Sequence, residues 1–134
     1  MKKIFFVFLL FVFLASPAIA ANTVNDTGTV GRVVEVSGID SNFDLVARAG
    51  YTQYATAGGA PLEMVLFFPG AANDILVIRD TVADTGPIIA KMKSLDGEPR
   101  IMYFRGAKVK PVMDYSDCTL SSGALVIFIL APPK

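Results

Sequence analysis

The sequence of 134 residues contains no histidine, no tryptophan and a single cysteine, Cys118. The absence of histidine excludes Ser-His-Asp and Cys-His nucleophilic catalysis and removes the usual general base near neutral pH. Zinc sites built from histidines or from several cysteines are excluded as well. Because one cysteine cannot form an internal disulfide, the fold must be stabilised by packing.

Motifs for cofactors and metals are also lacking. The Gly58-Gly59 pair has neither the lysine nor the spacing of a phosphate-binding loop. The remaining candidates for a carboxylate-dependent hydrolase are five aspartates: Asp74, Asp80, Asp84, Asp114 and Asp117. Aspartate is common in turns because its side chain hydrogen-bonds the local backbone. We therefore predict turn structure at these positions, with no catalytic residue, no metal and no cofactor.

Residues 1–20 have the pattern of a secretory signal peptide. Lys2 and Lys3 precede eleven residues without a polar side chain, Ile4 to Leu14, and Ala18-Ile19-Ala20 forms a small-x-small cleavage site. The alternative is an uncleaved anchor, but even about sixteen apolar residues fall short of the roughly 20 that span a bilayer. We predict cleavage after Ala20 and export to the periplasm or the exterior, with membrane contact only through this segment.

Removal of the signal peptide leaves a slightly acidic chain. Ten of the twelve basic residues and all twelve acidic residues remain. A net charge of about −2 gives no electrostatic basis for binding nucleic acid. The residues that remain suffice for one domain with its own core.

The rest of the sequence predicts an all-β domain over residues 30–134, preceded by a flexible lead-in over residues 21–29. Short β-branched runs are separated by Gly, Pro and Asp, among them the turns Pro69-Gly70, Asp96-Gly97 and Arg105-Gly106. Residues Tyr51–Ala55 are either loop or a poorly patterned strand. The eight predicted strands are Val30–Ser37, Phe43–Arg48, Glu63–Phe68, Asp74–Arg79, Pro87–Lys93, Arg100–Phe104, Ala107–Met113 and Ala124–Leu130. About eight strands at this spacing predict a single antiparallel β-sandwich, either jelly-roll or immunoglobulin-like.

Two segments are candidate binding surfaces. Tyr51 and Tyr54, with Gln53 between them, offer aromatic rings and a hydrogen-bonding side chain that suit a glycan or a cell-surface partner. The alternative is that one tyrosine packs in the core. The seven apolar residues Ala124–Leu130 predict burial of both strand faces. Since a sandwich buries only one, a second subunit or a covering loop is needed, and Leu125, Ile127 and Ile129 are the candidate self-association residues.

Residues 63–131 resemble small β-rich virion and decoration proteins of tailed phages and prophages. The resemblance lies in Asn73–Asp80, Thr85–Pro87 and Asp114–Leu120. It implies a self-assembling structural role without enzymatic residues, whereas the signal peptide departs from the pattern of most virion components. The sequence therefore favours an exported, non-enzymatic assembly protein that forms homo-oligomers. An envelope binding module is the first alternative and a hydrolase the second.

Overall fold

The structure is a computed structural model that describes residues 23–27, 32–39, 41–81 and 83–132. The described strands form a five-stranded and a four-stranded antiparallel sheet, with the orders β1-β2-β9-β4-β7 and β3-β8-β5-β6. The strands are β1 (Thr23–Thr27), β2 (Val33–Ser37), β3 (Phe43–Asp44), β4 (Ala60–Phe68), β5 (Ile75–Asp80), β6 (Ile88–Lys93), β7 (Arg100–Val109), β8 (Pro111–Met113) and β9 (Leu125–Leu130). A short helix, α1 (Gln53–Thr56), and a 3-10 turn at Tyr115–Asp117 complete the described elements.

The pairing pattern identifies the sandwich as a jelly roll. Strands β2 and β9, β3 and β8, β4 and β7, and β5 and β6 are antiparallel partners, so the chain from β2 to β9 pairs as one long folded hairpin. The pairs β4–β9 and β5–β8 join the successive layers of that hairpin into two sheets. The predicted all-β sandwich is therefore confirmed, and the jelly-roll topology is the one adopted.

The core lies between the two sheets and consists of the alternate residues that point inward from each strand. Val126, Phe128 and Leu130 of β9 are fully buried. The Phe128 ring stacks on that of Phe43 from the opposite sheet, with the centroids 5.6 Å apart and the planes at 20°. This contact joins the two sheets without a disulfide, as the single cysteine requires.

Two segments before β4 differ from the sequence prediction because of local hydrogen bonding, and β4 itself begins at Ala60 rather than at Glu63. The strand predicted for Phe43–Arg48 ends at Asp44, whose Oδ1 accepts hydrogen bonds from the backbone N–H groups of Val46 and Ala47 at 3.0 and 3.3 Å. The side chain thereby turns the backbone out of the ladder. Residues Tyr51–Ala55 are neither loop nor strand, because most of them belong to α1 and the turn before it.

The Arg105-Gly106 pair does not reverse the chain. Both residues have positive φ, 55° and 76°, but they form a bulge inside the single ten-residue strand β7. The predicted strand Arg100–Phe104 therefore continues to Val109, and the predicted strand Ala107–Met113 is divided at Lys110, where the chain leaves the five-stranded sheet for β8. Residues in the left-handed region serve turns and bulges equally well, so the dipeptide alone does not distinguish them.

The N-terminal part differs from the sequence prediction as well. Residues 23–27, which fall within the predicted flexible lead-in, form β1 and pair with β2 in register from Thr23–Ser37 to Thr27–Val33. The predicted signal peptide lies outside the described residues and stays a prediction. No helix in the described ranges is long and apolar enough to cross a membrane.

Candidate functional site

The outward side of the five-stranded sheet carries an apolar surface, here called the open face. Because residues that pair across antiparallel strands point to the same side of a sheet, the register arranges the face in rows. Across β2, β9, β4 and β7 the first row runs Val33, Ile129, Met64, Tyr103; the second runs Glu35, Ile127, Leu66, Ile101; and the third runs Ser37, Leu125, Phe68. The edge strand β1 pairs with the β2 end of each row. Nine of these eleven side chains are apolar.

The open face is accessible to solvent. The side chains of Ile101 and Tyr103, on edge strand β7, are 51% and 62% exposed. The apolar side chains on β2, β9 and β4 are partly buried by their neighbours within the sheet. Glu35 is the one charged residue in the three rows. Charge therefore does not keep this surface from contact with another apolar surface.

The predicted self-association residues lie together at the centre of the open face. Leu125, Ile127 and Ile129 each occupy one row on β9, between β2 and β4. The sequence places them on one face by strand alternation. Their neighbours on β4 and β7 were not assigned to this surface from the sequence, because the register between distant strands is not visible in a local pattern.

Residues 114–120, here called the strap, lie against strand β5 of the four-stranded sheet. Arg79 of β5 contacts the strap residue Asp117 through a 2.6 Å ion pair between Nε and Oδ2. The backbone N–H of Val77 donates to the Cys118 sulfur at 3.4 Å. Ile75 and Thr119 exchange backbone hydrogen bonds at 2.7 and 2.9 Å. Val77, which points outward beside these contacts, is only 3% exposed.

Buried carboxylates hold both ends of the strap. At its start, Asp114 Oδ1 accepts from the backbone N–H and the hydroxyl of Ser116, at 3.0 and 2.7 Å. Just beyond its end, Asp74 accepts from the N–H and hydroxyl of Ser121 at 3.0 and 2.7 Å and from the N–H of Gly70 at 2.8 Å. Burial pushes the pKa of Asp74 upward, but these hydrogen bonds outweigh it and hold that pKa below its ordinary value.

The predicted tyrosine surface is not assembled. Tyr51 is 3% exposed and belongs to the core, so its ring face is not available for stacking on a sugar. Tyr54 packs partly against the core, with its ring centroid 6.4 Å from that of Tyr51. Gln53 is exposed, and its side-chain amide donates to the Gly50 carbonyl. The core packing of a tyrosine, the alternative considered for this segment, is what the structure shows.

The five aspartates lie at separate positions, and turn structure is wrong for Asp80, which is the last residue of strand β5. Asp80 accepts a 2.7 Å hydrogen bond from the N–H of Lys110, and Asp84 lies exposed in a separate loop at φ 65°. Asp74 and the pair Asp114 and Asp117 serve the strap. No group of three or more His, Cys, Asp or Glu residues that could hold a metal ion occurs in the described part of the chain.

A cleft of about 590 Å³ lies at one end of the open face, beside the bulge in β7. Its charged lining residues are Glu63, Arg105 and Lys108. The sequence showed only basic residues in a predicted hairpin, because the bulge that brings Glu63 next to them depends on long-range pairing.

Comparison of the chain with protein-family models, with curated proteins and with solved structures finds no match. The functional argument therefore depends on the geometry of the open face, the strap and the cleft.

Proposed function

We propose that this chain is an exported, non-enzymatic assembly protein whose working unit is a pair of copies packed through their open faces. The observation that carries the proposal is the set of nine apolar side chains in register on the outward side of the five-stranded sheet. Sheets that bury such a face do so by packing on another sheet about 10 Å away. A second copy supplies a sheet with the same rows.

The size of the open face fits a pair of moderate affinity. Four strands about 4.8 Å apart and three rows about 7 Å apart give roughly 400 Å² in the plane of the sheet. Apolar patches of about 300–600 Å² on a protein surface are often functional. Two such faces together give about 800 Å², which is below the roughly 1,200 Å² of standard specific interfaces and in the range of weak pairs, so we expect a dissociation constant in the micromolar range.

The distribution of polar groups also suits a symmetric pair. A two-fold axis parallel to the strands and placed between β9 and β4 brings β2 of one copy opposite β7 of the other. Glu35 lies on β2, and the hydroxyl of Tyr103 lies on β7. Each copy thus places its carboxylate opposite a hydrogen-bond donor, and the two Glu35 side chains are kept apart.

The strap favours a closed pair over a growing stack. On the far side of the molecule the strap lies beside Val77, and the uncovered part of β6 presents Lys91 and Lys93 to solvent. Each copy has only one open face, and the pair buries both, so a third copy has no apolar face to pack on. The assembly is therefore limited to two copies, with the four-stranded sheets on the outside.

The test compares two isoleucines with the same exposure on opposite sheets. Ile101 on the open face and Ile88 on β6 are both 51% exposed. We expect the chain as it accumulates in an expression host to sediment as a concentration-dependent dimer. Ile101→Lys should sediment as a monomer, because the pair would bury two lysines, whereas Ile88→Lys should remain a dimer.

Intact mass of the accumulated chain completes the experiment, with a first residue of Ala21 as the expected result. A strict monomer at concentrations up to about 100 μM contradicts the proposal, since two faces of this size associate in the micromolar range. If that monomer retains residues 1–20, the occupant of the open face is the chain's own segment. A monomer that sediments only with lipid vesicles identifies a membrane as the occupant. Dimers formed equally by Ile101→Lys contradict the proposed surface.

A further inference from the structure

The cleft beside the β7 bulge results from a mismatch in strand length. Leu62 pairs with Ala107, but Met64 pairs with Tyr103, so β7 has two extra residues opposite Glu63. The register with β9 also shifts at this point. Glu63 consequently has no paired residue on either neighbouring strand, and its side chain borders the cleft.

The backbone at the bulge is strained where the cleft is charged. Arg105 has φ 55°, in the left-handed region that side chains larger than glycine rarely adopt. Such strain is concentrated at ligand clamps and active sites. The next residue, Gly106, has φ 76°, and a Cβ there would lie 4.0 Å from Glu63 Oε2 and 3.7 Å from the Ala131 Cβ. Glycine meets the positive φ and leaves this part of the cleft open.

The charged side chains that line the cleft do not form ion pairs with one another. The ion pairs among the described residues are Arg79–Asp117 and Arg100–Asp96, so Glu63 and Arg105 do not form one. Lys108 Nζ donates to the Ala57 carbonyl at 3.4 Å, which leaves two of its three hydrogens for other acceptors. Two cations and one carboxylate are therefore available at one opening. Pro61, Ala131 and Pro132 supply apolar walls.

We propose that this cleft binds a small organic acid that also carries hydroxyl or amino groups. The carboxylate or phosphate of the ligand lies between Arg105 and Lys108, because a guanidinium recognises planar oxyanions through paired hydrogen bonds. A hydroxyl or amino group of the ligand donates to Glu63, and the carbon skeleton contacts the apolar walls. The volume of about 590 Å³ falls within the range of small-molecule sites, roughly 300–1,000 Å³.

Amide chemical shifts of the labelled full chain test this proposal with three probes: glucuronate, inorganic phosphate and glucose. Glucuronate has a carboxylate and hydroxyls, phosphate has the charge alone, and glucose has the hydroxyls alone. We expect glucuronate at millimolar concentration to shift the amides of residues 62–64, 105–108 and 131. Phosphate should shift them more weakly, and glucose should leave them unchanged.

Variants distinguish recognition of the ligand's acid group from recognition of its hydroxyl groups. Arg105→Gln should weaken glucuronate binding by about tenfold or more, the usual effect of losing a charge-assisted hydrogen bond. Lys108→Gln should act in the same direction and serves as the second variant if Arg105→Gln does not fold. Glu63→Gln should remove the preference for glucuronate over phosphate. Lys91→Gln, an exposed lysine on the other sheet, is the control and should bind like the unaltered chain.

Four results would overturn the proposal. Three of them are the absence of shifts with either acid, equal shifts with glucose, and binding that is unchanged by both Arg105→Gln and Lys108→Gln. Preference for phosphate over glucuronate would identify a plain anion site and would also overturn it. The cleft lies beyond the three rows of the open face, so the monomeric Ile101→Lys variant should still bind. Failure of the proposed dimer and failure of the proposed ligand site can therefore be distinguished.

Discussion

The four-stranded sheet is flanked by the chain's own strap, whereas no described residue covers the outward face of the five-stranded sheet. Both sheets have outward-pointing apolar side chains, Val77 on β5 and Ile127 on β9. Val77, next to the strap, is 3% exposed, but Ile127 is only partly buried. The apolar outward residue of one sheet is buried within the chain, and we propose that the apolar outward face of the other sheet is buried by a second copy.

The largest expected effect comes from releasing the end of the strap. Asp74→Ala removes the acceptor for the N–H groups of Gly70 and Ser121 and for the Ser121 hydroxyl. Unsatisfied donors of this kind cost about 1–3 kcal/mol each, and the losses are not additive. We expect the free energy of unfolding, measured by denaturant titration, to fall by about 3 kcal/mol. The control is Ser122→Ala, at a neighbouring exposed serine, and it should leave the free energy of unfolding unchanged. If Asp74→Ala is as stable as the unaltered chain, Asp74 does not stabilise the end of the strap.

The same carboxylate predicts a loss of stability in acid. Its pKa in the folded chain lies below the ordinary value of about 3.9 that it regains on unfolding. The stabilisation is therefore fully present above about pH 4 and is lost as the pH falls through the lower, folded pKa. Unfolding curves between pH 7 and pH 2.5 should show a steeper decline for the unaltered chain than for Asp74→Asn. If the stability of both chains falls equally with decreasing pH, groups other than Asp74 cause the loss of stability in acid.

A threonine substituted on each outward face measures how well that position is covered. Val77→Thr places a hydroxyl beside the strap and should destabilise the chain by about 1–2 kcal/mol. Ile127→Thr should cost less than about 1 kcal/mol at concentrations where the chain is monomeric. The difference should shrink at high concentration, where the proposed pair buries Ile127. Calorimetry at two concentrations checks both values, and an equal cost for the two variants at low concentration would remove the distinction between the faces.

The smallest effect concerns the reactivity of the thiol in the strap. Burial raises the pKa of Cys118, and the carboxylates of Asp117 and Asp114 raise it further. Since the thiolate is the reactive form, alkylation at pH 8 should be about tenfold slower in the folded chain than in denaturant. Asp117→Asn, which breaks the strap ion pair, should increase the rate. Asp96→Asn, which breaks the exposed Arg100–Asp96 ion pair instead, should not.

Sequence patterns predicted the sandwich and a strand at β9, because strand alternation and turn residues are local properties. Val126, Phe128 and Leu130 point inward and Leu125, Ile127 and Ile129 outward, as a period of two requires. The bulge at Arg105-Gly106 and the rows of the open face were not predictable, because both depend on pairing between strands far apart in the chain. Tyr51 shows the same limit, since an aromatic residue in a polar segment suits a binding surface and a core equally well.

The position of β9 has a consequence for the order in which the molecule forms. The last strand of the sequence lies in the middle of the five-stranded sheet, between β2 and β4. Neither of those strands has its inner partner until residues 125–130 are available, and contacts across such sequence separations make folding slow. The five-stranded sheet therefore closes only after residues 125–130 have left the ribosome.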